Sequence, residues 1–202
     1  MKIGILTQPL HNNYGGLLQV YALKAILTEI GHEVLIINRI PKDRSPIREL
    51  TSRMLHYVKK HILPMIGKQP PREVYKMTFE EKVTISMHTR YFIAKYIESL
   101  TKPITSNRQL KNIASQGFDA FIVGSDQVWR RHYSPNLPNY FLDFVKKNKN
   151  IKRIAYAASF GLDKWHYPYF LTKKCKLLAS KFDAVSVRED TAVELCRKHL
   201  DI

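Results

Sequence analysis

The stretch IGILTQPLHNNYGGLLQVYALKAILTEIGHEVLIIN, residues 3–38, decides the fold. Ile3 to Thr7 is a short apolar run that reads as a strand, and it stops at a polar, glycine-bearing loop, Gln8 to Gly16. From Leu17 to Ile30 apolar residues fall at positions 20, 23, 26, 27 and 30, the spacing of a helix with one buried face. Gly31 stands where a helix C-cap belongs. Glu33 to Asn38 then reads as a second strand, and its unbroken Val-Leu-Ile-Ile run fits a strand covered on both sides, as in a parallel sheet between helices. The order is β-α-β.

From Pro41 to about Asn112 strand signals vanish. Two amphipathic helical patterns take their place, near 48–62 and near 78–100, split by the Lys68-Gln69-Pro70-Pro71 break. Three strand runs follow: Phe118 to Val123, Arg153 to Ser159 and Phe182 to Val187. A helix around Pro168 to Lys181 separates the last two, and a final helix spans Thr191 to Leu200. The pattern predicts one Rossmann-like α/β domain over residues 1–202, a doubly wound, mainly parallel open sheet with a helical insert at about 41–112. Ligands of such a sheet lie beyond the carboxyl ends of its strands. The strands led by Phe118-Asp119-Ala120 and Phe182-Asp183-Ala184 share a frame, which reads as two buried strands of the same kind.

The 202 residues suffice for one substantial core, and 45% hydrophobic with 25% charged residues excludes collagen-like, coiled-coil and largely disordered classes. Lys plus Arg number 33 against 17 acids, a formal +16, so the surface carries a field that draws phosphates, nucleic acid or an anionic membrane face. No zinc finger, helix-turn-helix or aromatic RNA-binding pattern accompanies the charge, which argues against a nucleic-acid partner. The helix near 48–62 sets Leu50, Met54, Leu55, Val58 and Ile62 opposite Arg48, Arg53, Lys59 and Lys60. Two readings of it stand, a solvated charged face and peripheral contact with an anionic membrane. Cys175 and Cys196, with no CxxC pair and no His cluster around them, read as reduced structural thiols, and no metal is expected. The N-terminal MKIGILT offers neither a signal-peptide core nor a membrane span, so a cytoplasmic location is expected, with any membrane contact peripheral and at the inner face.

Four segments carry candidate chemistry. His11-Asn12-Asn13-Tyr14-Gly15-Gly16 lies between the first strand and first helix, where backbone amides and a helix N-terminus make an anion or sugar site. It lacks both GxGxxG and GxxxxGK[ST], which disfavours NAD and ATP. Its other reading is a tight turn, and Gln19 lies one helical turn further on. Gly124-Ser125-Asp126-Gln127-Val128-Trp129 closes the third strand and gathers hydroxyl, carboxylate, amide and indole over the ligand face. There Asp126 is placed to act as a base toward a hydroxyl. The alternative is that Ser125 and Asp126 cap a turn and Trp129 fills the core. Ser186-Val187-Arg188-Glu189-Asp190 ends the fifth strand, where Arg188 is placed to grip a phosphate or carboxylate, or else to pair locally with Glu189 while Asp190 caps the helix. Ala155 to Gly161 is a small-residue strand and glycine turn, open to close approach by a ligand or by another backbone. Among the histidines, His11 is the candidate proton donor.

Taken together, KIGILT with NNYGGLLQVYAL, then FDAFIVGSDQVW, KRIAYAASFG and FDAVSVRED resemble the polysaccharide pyruvyl transferase family in content, order and spacing. The resemblance implies transfer of a pyruvyl group from phosphoenolpyruvate, as donor substrate and without a cofactor, to sugar hydroxyls of a cell-surface polysaccharide or its lipid-linked precursor, forming a pyruvate ketal. It also implies a fold like one half of a GT-B-type two-domain transferase. This sequence looks like the N-terminal half, with the C-terminal half absent and a second-half partner or homo-oligomer expected. On the resemblance, Arg188 binds the donor. Asn13, Tyr14, Gly15, Gly16, Gln19, Ser125, Gln127 and Trp129 line the acceptor side or the cleft, and Asp126 and His11 are the catalytic candidates. The competing class is a non-catalytic basic module that binds an anionic glycan, lipid or partner domain. A nucleotide-sugar glycosyltransferase fits the fold but not the four blocks.

Overall fold

In the computed structural model, which describes residues 1–10, 13–42, 46–67, 69, 77–145 and 150–202, the alternation along β1 (Lys2–Leu6) sorts the core into two layers. Ile3 and Ile5 point to one face, where they meet Leu17, Val20, Leu23 and Leu27 of α1 (Tyr14–Glu29). Leu6 points to the other and joins the large cluster. Gly4 shares Leu6's face, and a Cβ there would stand 2.5 Å from the Phe121 ring, so the missing side chain is what seats the phenylalanine.

Four further strands complete the sheet: β2 (Glu33–Ile36), β3 (Ala120–Asp126), β4 (Lys152–Ala158) and β5 (Ala184–Val187). The order is β2-β1-β3-β4-β5 and every pairing is parallel. This is an α/β, Rossmann-like open sheet, as the sequence pattern predicts. The large cluster lies over β3 and β4 and includes Phe121, Val123 and Ala155. Its cover is the β3–β4 connection, with Trp129, Tyr140, Phe141 and Phe144, together with α5 (Tyr169–Ala179) and α6 (Asp190–Leu200). A 3-10 helix, Leu137–Phe141, takes the place of a full helix in that connection.

Several expectations need correction. Helix α1 begins at Tyr14, not Leu17, because the Asn13 side chain accepts the Gly16 N–H at 3.3 Å and caps it; Tyr14, Gly15 and Gly16 are helical rather than loop. The strand after Phe118 starts at Ala120 and runs on to Asp126. The shared Phe-Asp-Ala frame has a specific physical content. Asp119 accepts the Lys2 backbone N–H at 2.6 Å and Asp183 accepts that of Arg153 at 2.8 Å, so each aspartate tethers the start of the strand beside it. The two strands are not equally buried, however: β3 is interior, whereas Ala184, Val185 and Ser186 of edge strand β5 are exposed. Both α5 and α6 pack on the large-cluster face, and Tyr156 of β4 is left half-exposed on the opposite one.

Contacts divide the chain into two compact units, residues 1–41 with 86–202, and residues 42–85. The first contains the sheet. Its segment 97–104 runs beside β2, bridging Ile36 to Leu100 and Arg39 to Ile104, and leads into α4 (Asn107–Ala114). A capping box between Ser106 and Gln109 starts that helix. Neither feature stands out in the sequence, because eight residues carry too little periodicity. Buried Arg39 pins the segment by donating to Asn139 and to the Ile40 and Ile104 carbonyls, and burial lowers its pKa. The second unit holds α2 (Pro46–Met65) and the first turns of α3 (Phe79–Tyr96). The Lys68 to Pro71 break lies largely outside the described residues, as do the side chains of Arg48 and Arg53. Cys175 and Cys196 are free and buried, and burial pushes both thiols up to about 12, so they pack as apolar groups. Among the described residues no helix is long and apolar enough to cross a membrane.

Candidate functional site

Strand order 2-1-3-4-5 reverses direction between β1 and β3, and the crevice of a doubly wound sheet opens at that point, beyond the carboxyl ends. The chain delivers the α1 N-terminus there from β1 and Gly124-Ser125-Asp126 from β3.

Asp126 is the hub. Its Oδ2 lies 3.5 Å from Asn13 Nδ2 and its Oδ1 3.5 Å from Arg188 Nη1, so one carboxylate joins the helix cap that follows β1 to the arginine that follows β5. The Gly16 Cα also closes on it: a Cβ built there would stand 3.6 Å from Asp126 Oδ2. A carboxylate at a helix N-terminus is favoured by the unpaired N–H groups and the dipole. Asp126 itself sits at φ 73, and its carbonyl accepts both Val128 N–H and Ser159 N–H, which ties the end of β3 to the end of β4. Gly124 is required by close approach: its φ is +129, and a Cβ would stand 2.0 Å from the Tyr156 carbonyl oxygen. Ser125 is buried and donates to Gln19 Oε1 at 3.3 Å.

The structure thus brings together Asn13, Gly16, Gln19, Ser125, Asp126 and Arg188. Tyr14 and Gly15 lie beside them, exposed on the first turn of α1. Arg188 pairs with Asp126 rather than with Glu189. Glu189 instead accepts from Ser159 Oγ at 2.6 Å and occupies the cap position of α6, with Asp190 the helix's first residue.

Two of the expected positions serve otherwise. Trp129 presents no face to a sugar: it is fully buried, stacked on Phe141 at 5.0 Å and 7°, with its indole N–H donated to the Tyr140 carbonyl at 2.9 Å. Gln127 turns toward the β4 end, where Gly161 (φ +62) leaves its amide room, since a Cβ would stand 2.5 Å from Gln127 Oε1. That same oxygen accepts from Arg130 Nη1 at 2.7 Å. His11 lies outside the described residues.

Arg130 went unread in the sequence, and so did the pairing of Ser159 with Glu189. Arg130 directly follows the GSDQVW block, so adjacency to Gln127 was the available signal. The Ser159–Glu189 bond spans 30 residues and leaves no local trace. Beyond Arg130, the basic run continues through Arg131, whose N–H donates to His166 Nε2 at 3.3 Å. Burial, together with His132 and the neighbouring arginines, holds that imidazole below its ordinary value. Among the described residues no group of three or more His, Cys, Asp or Glu forms a metal-binding cluster.

The arrangement offers a carboxylate that can accept a hydroxyl proton, a guanidinium that can hold an anion and a polar floor of amides and hydroxyl. A family model described as polysaccharide pyruvyl transferase matches residues 13–201, nearly the whole chain and all of these positions. A comparison with curated proteins finds no match.

Proposed function

The chain belongs to the polysaccharide pyruvyl transferase family, and on that premise we propose that it transfers the pyruvyl group of phosphoenolpyruvate to a sugar of a cell-surface polysaccharide or its lipid-linked precursor, closing a cyclic ketal. The observation that carries this reading is the meeting of Asp126 and Arg188 at 3.5 Å over the switch-point crevice, beside the α1 N-terminus.

The chemistry asks for these groups. A proton adds to the methylene carbon of the donor and leaves an oxocarbenium-like centre. A sugar hydroxyl adds to that centre and gives up its proton, the carbon–oxygen bond to phosphate breaks, and a second hydroxyl of the same sugar adds and loses its proton. Two hydroxyl protons are released and one is taken up by carbon, so the other leaves on inorganic phosphate. Asp126 accepts a hydroxyl proton as general base. Arg188, half-exposed and presenting a planar fork of donors, holds the phosphate or carboxylate of the donor and stabilises charge as phosphate departs. Asn13, Gln19 and Ser125 position the acceptor. His11, two residues before the α1 cap, is the proposed proton donor to carbon. A second Rossmann-like half, as the family resemblance implies, completes the cleft.

The test is phosphate release from phosphoenolpyruvate with soluble and lipid-linked glycan acceptors, by the chain alone and with the products of neighbouring genes. In the combination that turns over, Asp126→Asn is expected to lower kcat by about 100-fold or more, the usual range for a lost general base. Release indifferent to Asp126→Asn, hydrolysis of a nucleotide sugar instead, or glycan binding with no turnover in any combination would each overturn the proposal.

A further inference from the structure

Helix α2 carries a row of exposed apolar side chains along one face. At about 100° per residue, Tyr57, Leu50, Met54, Val58, Ile62 and Leu55 fall within one arc of about 160°. Their exposures run from 45% at Val58 to 66% at Tyr57, and Met65, on the same arc, is 83% exposed. The polar positions inside the arc are Thr51 and His61, and the His61 ring packs on Tyr57 with centroids 4.4 Å apart. The positions of Arg48 and Lys59 lie beyond one border of the arc and those of Arg53 and Lys60 beyond the other, with Glu49 as the single acid of the 20-residue helix.

This combination selects its partner chemically. Four basic residues against one acid, in a chain of net +16, set the sign: the partner surface is anionic. The apolar side consists of Leu, Met, Val and Ile spread along a helix about 30 Å long, with no buried polar side chain among its described residues to fix a register. Such a face suits a fluid apolar layer better than a shaped socket. Tyr57 lies at the border of the arc, where an aromatic ring with a polar tip spans an apolar–aqueous boundary, and lysine stems can follow the apolar layer while their charges reach the headgroups. Among the described residues no helix is long and apolar enough to cross a bilayer.

We propose that α2 docks residues 42–85 on an anionic phospholipid surface, lying in the interface with its apolar face sunk about 5–10 Å. The proposal needs no turnover and stands apart from the reading of the Asp126 crevice.

Flotation of the full chain with vesicles tests it, using phosphatidylcholine alone and an equal mixture of phosphatidylcholine and phosphatidylglycerol. Binding to the mixed vesicles is expected to exceed binding to the neutral ones at least tenfold and to weaken as salt rises. Lys59→Ala should weaken it about fivefold, since a basic residue near such a surface contributes about 1 kcal/mol. Met54→Asp with Val58→Asp should abolish it while the thermal midpoint holds, because both side chains are exposed. Should that pair unfold the chain, the lipid contrast and Lys59→Ala still decide. Equal binding to both vesicles, binding to neither, full retention in the folded Asp pair, or a dimer that the Asp pair dissociates in the absence of vesicle binding would overturn the assignment; the last gives the face to a second copy.

Discussion

Replacing Arg188 with alanine separates a ligand-gripping guanidinium from a structural ion pair. Its nearest approach to Asp126 is 3.5 Å, with the Arg188 side chain 52% exposed and that of Asp126 13%. A pair this open and this long contributes about 0–1 kcal/mol to folding, because solvent screens it and two side chains must be held in place. For a chain of about 200 residues that moves the thermal midpoint by no more than about 4 °C. A charge-assisted hydrogen bond to donor phosphate or carboxylate is larger, about 1.5–3 kcal/mol, which is about 10- to 150-fold in kcat/KM for phosphoenolpyruvate. Arg188→Lys should recover only part of this, since an ammonium lacks the planar fork. The assays are phosphate release in the combination that turns over and a thermal melt of the same preparations. A midpoint lowered by more than about 8 °C together with unchanged kcat/KM would refute the reasoning and leave Arg188 as a structural partner of Asp126.

Two further outcomes follow from burial. Trp129→Ala should cost about 3–5 kcal/mol, as for other buried aromatics, and lower the midpoint by about 6–20 °C; a stable variant with weakened acceptor binding would instead return Trp129 to the cleft. Burial, with His132, Arg131 and Arg130 nearby, holds the His166 imidazole below its ordinary value. The unfolded chain therefore takes up a proton first, so stability is full above about pH 6.5 and falls as pH drops through the lowered folded value. Melting across that range should show a smaller acid loss in His166→Gln, and identical slopes in the two proteins would exclude His166 as the source.

Legibility in the sequence followed the range of the interaction. The five strands announce themselves as apolar runs, and the β1-α1-β2 start is readable because each element lies within a single short window. Boundaries drifted where a side chain sets them. Asn13 begins α1 three residues earlier than hydrophobic spacing implies, since a cap acts through its oxygen and leaves no apolar signal. Exposure was the least legible feature. The frames around Asp119 and Asp183 look alike, yet β5 is last in the strand order and stays exposed, because α5 and α6 both lie on one face.

What the sequence alone determined is the class of fold and the segments that bear chemistry: apolar runs must pair and be covered, and polar glycine-bearing stretches at their carboxyl ends must lie at the sheet's rim. What only the tertiary structure decided is which of those residues meet. Asn13, Asp126 and Arg188 are separated by 113 and 62 residues and come together because β1, β3 and β5 run parallel and end on the same side. Trp129, three residues from Asp126, leaves the site altogether, because packing against Phe141 and Phe160 takes its large apolar ring out of water. Neighbours in sequence part, and distant residues meet, because burial is settled by the whole sheet and its covering layers rather than by any one segment.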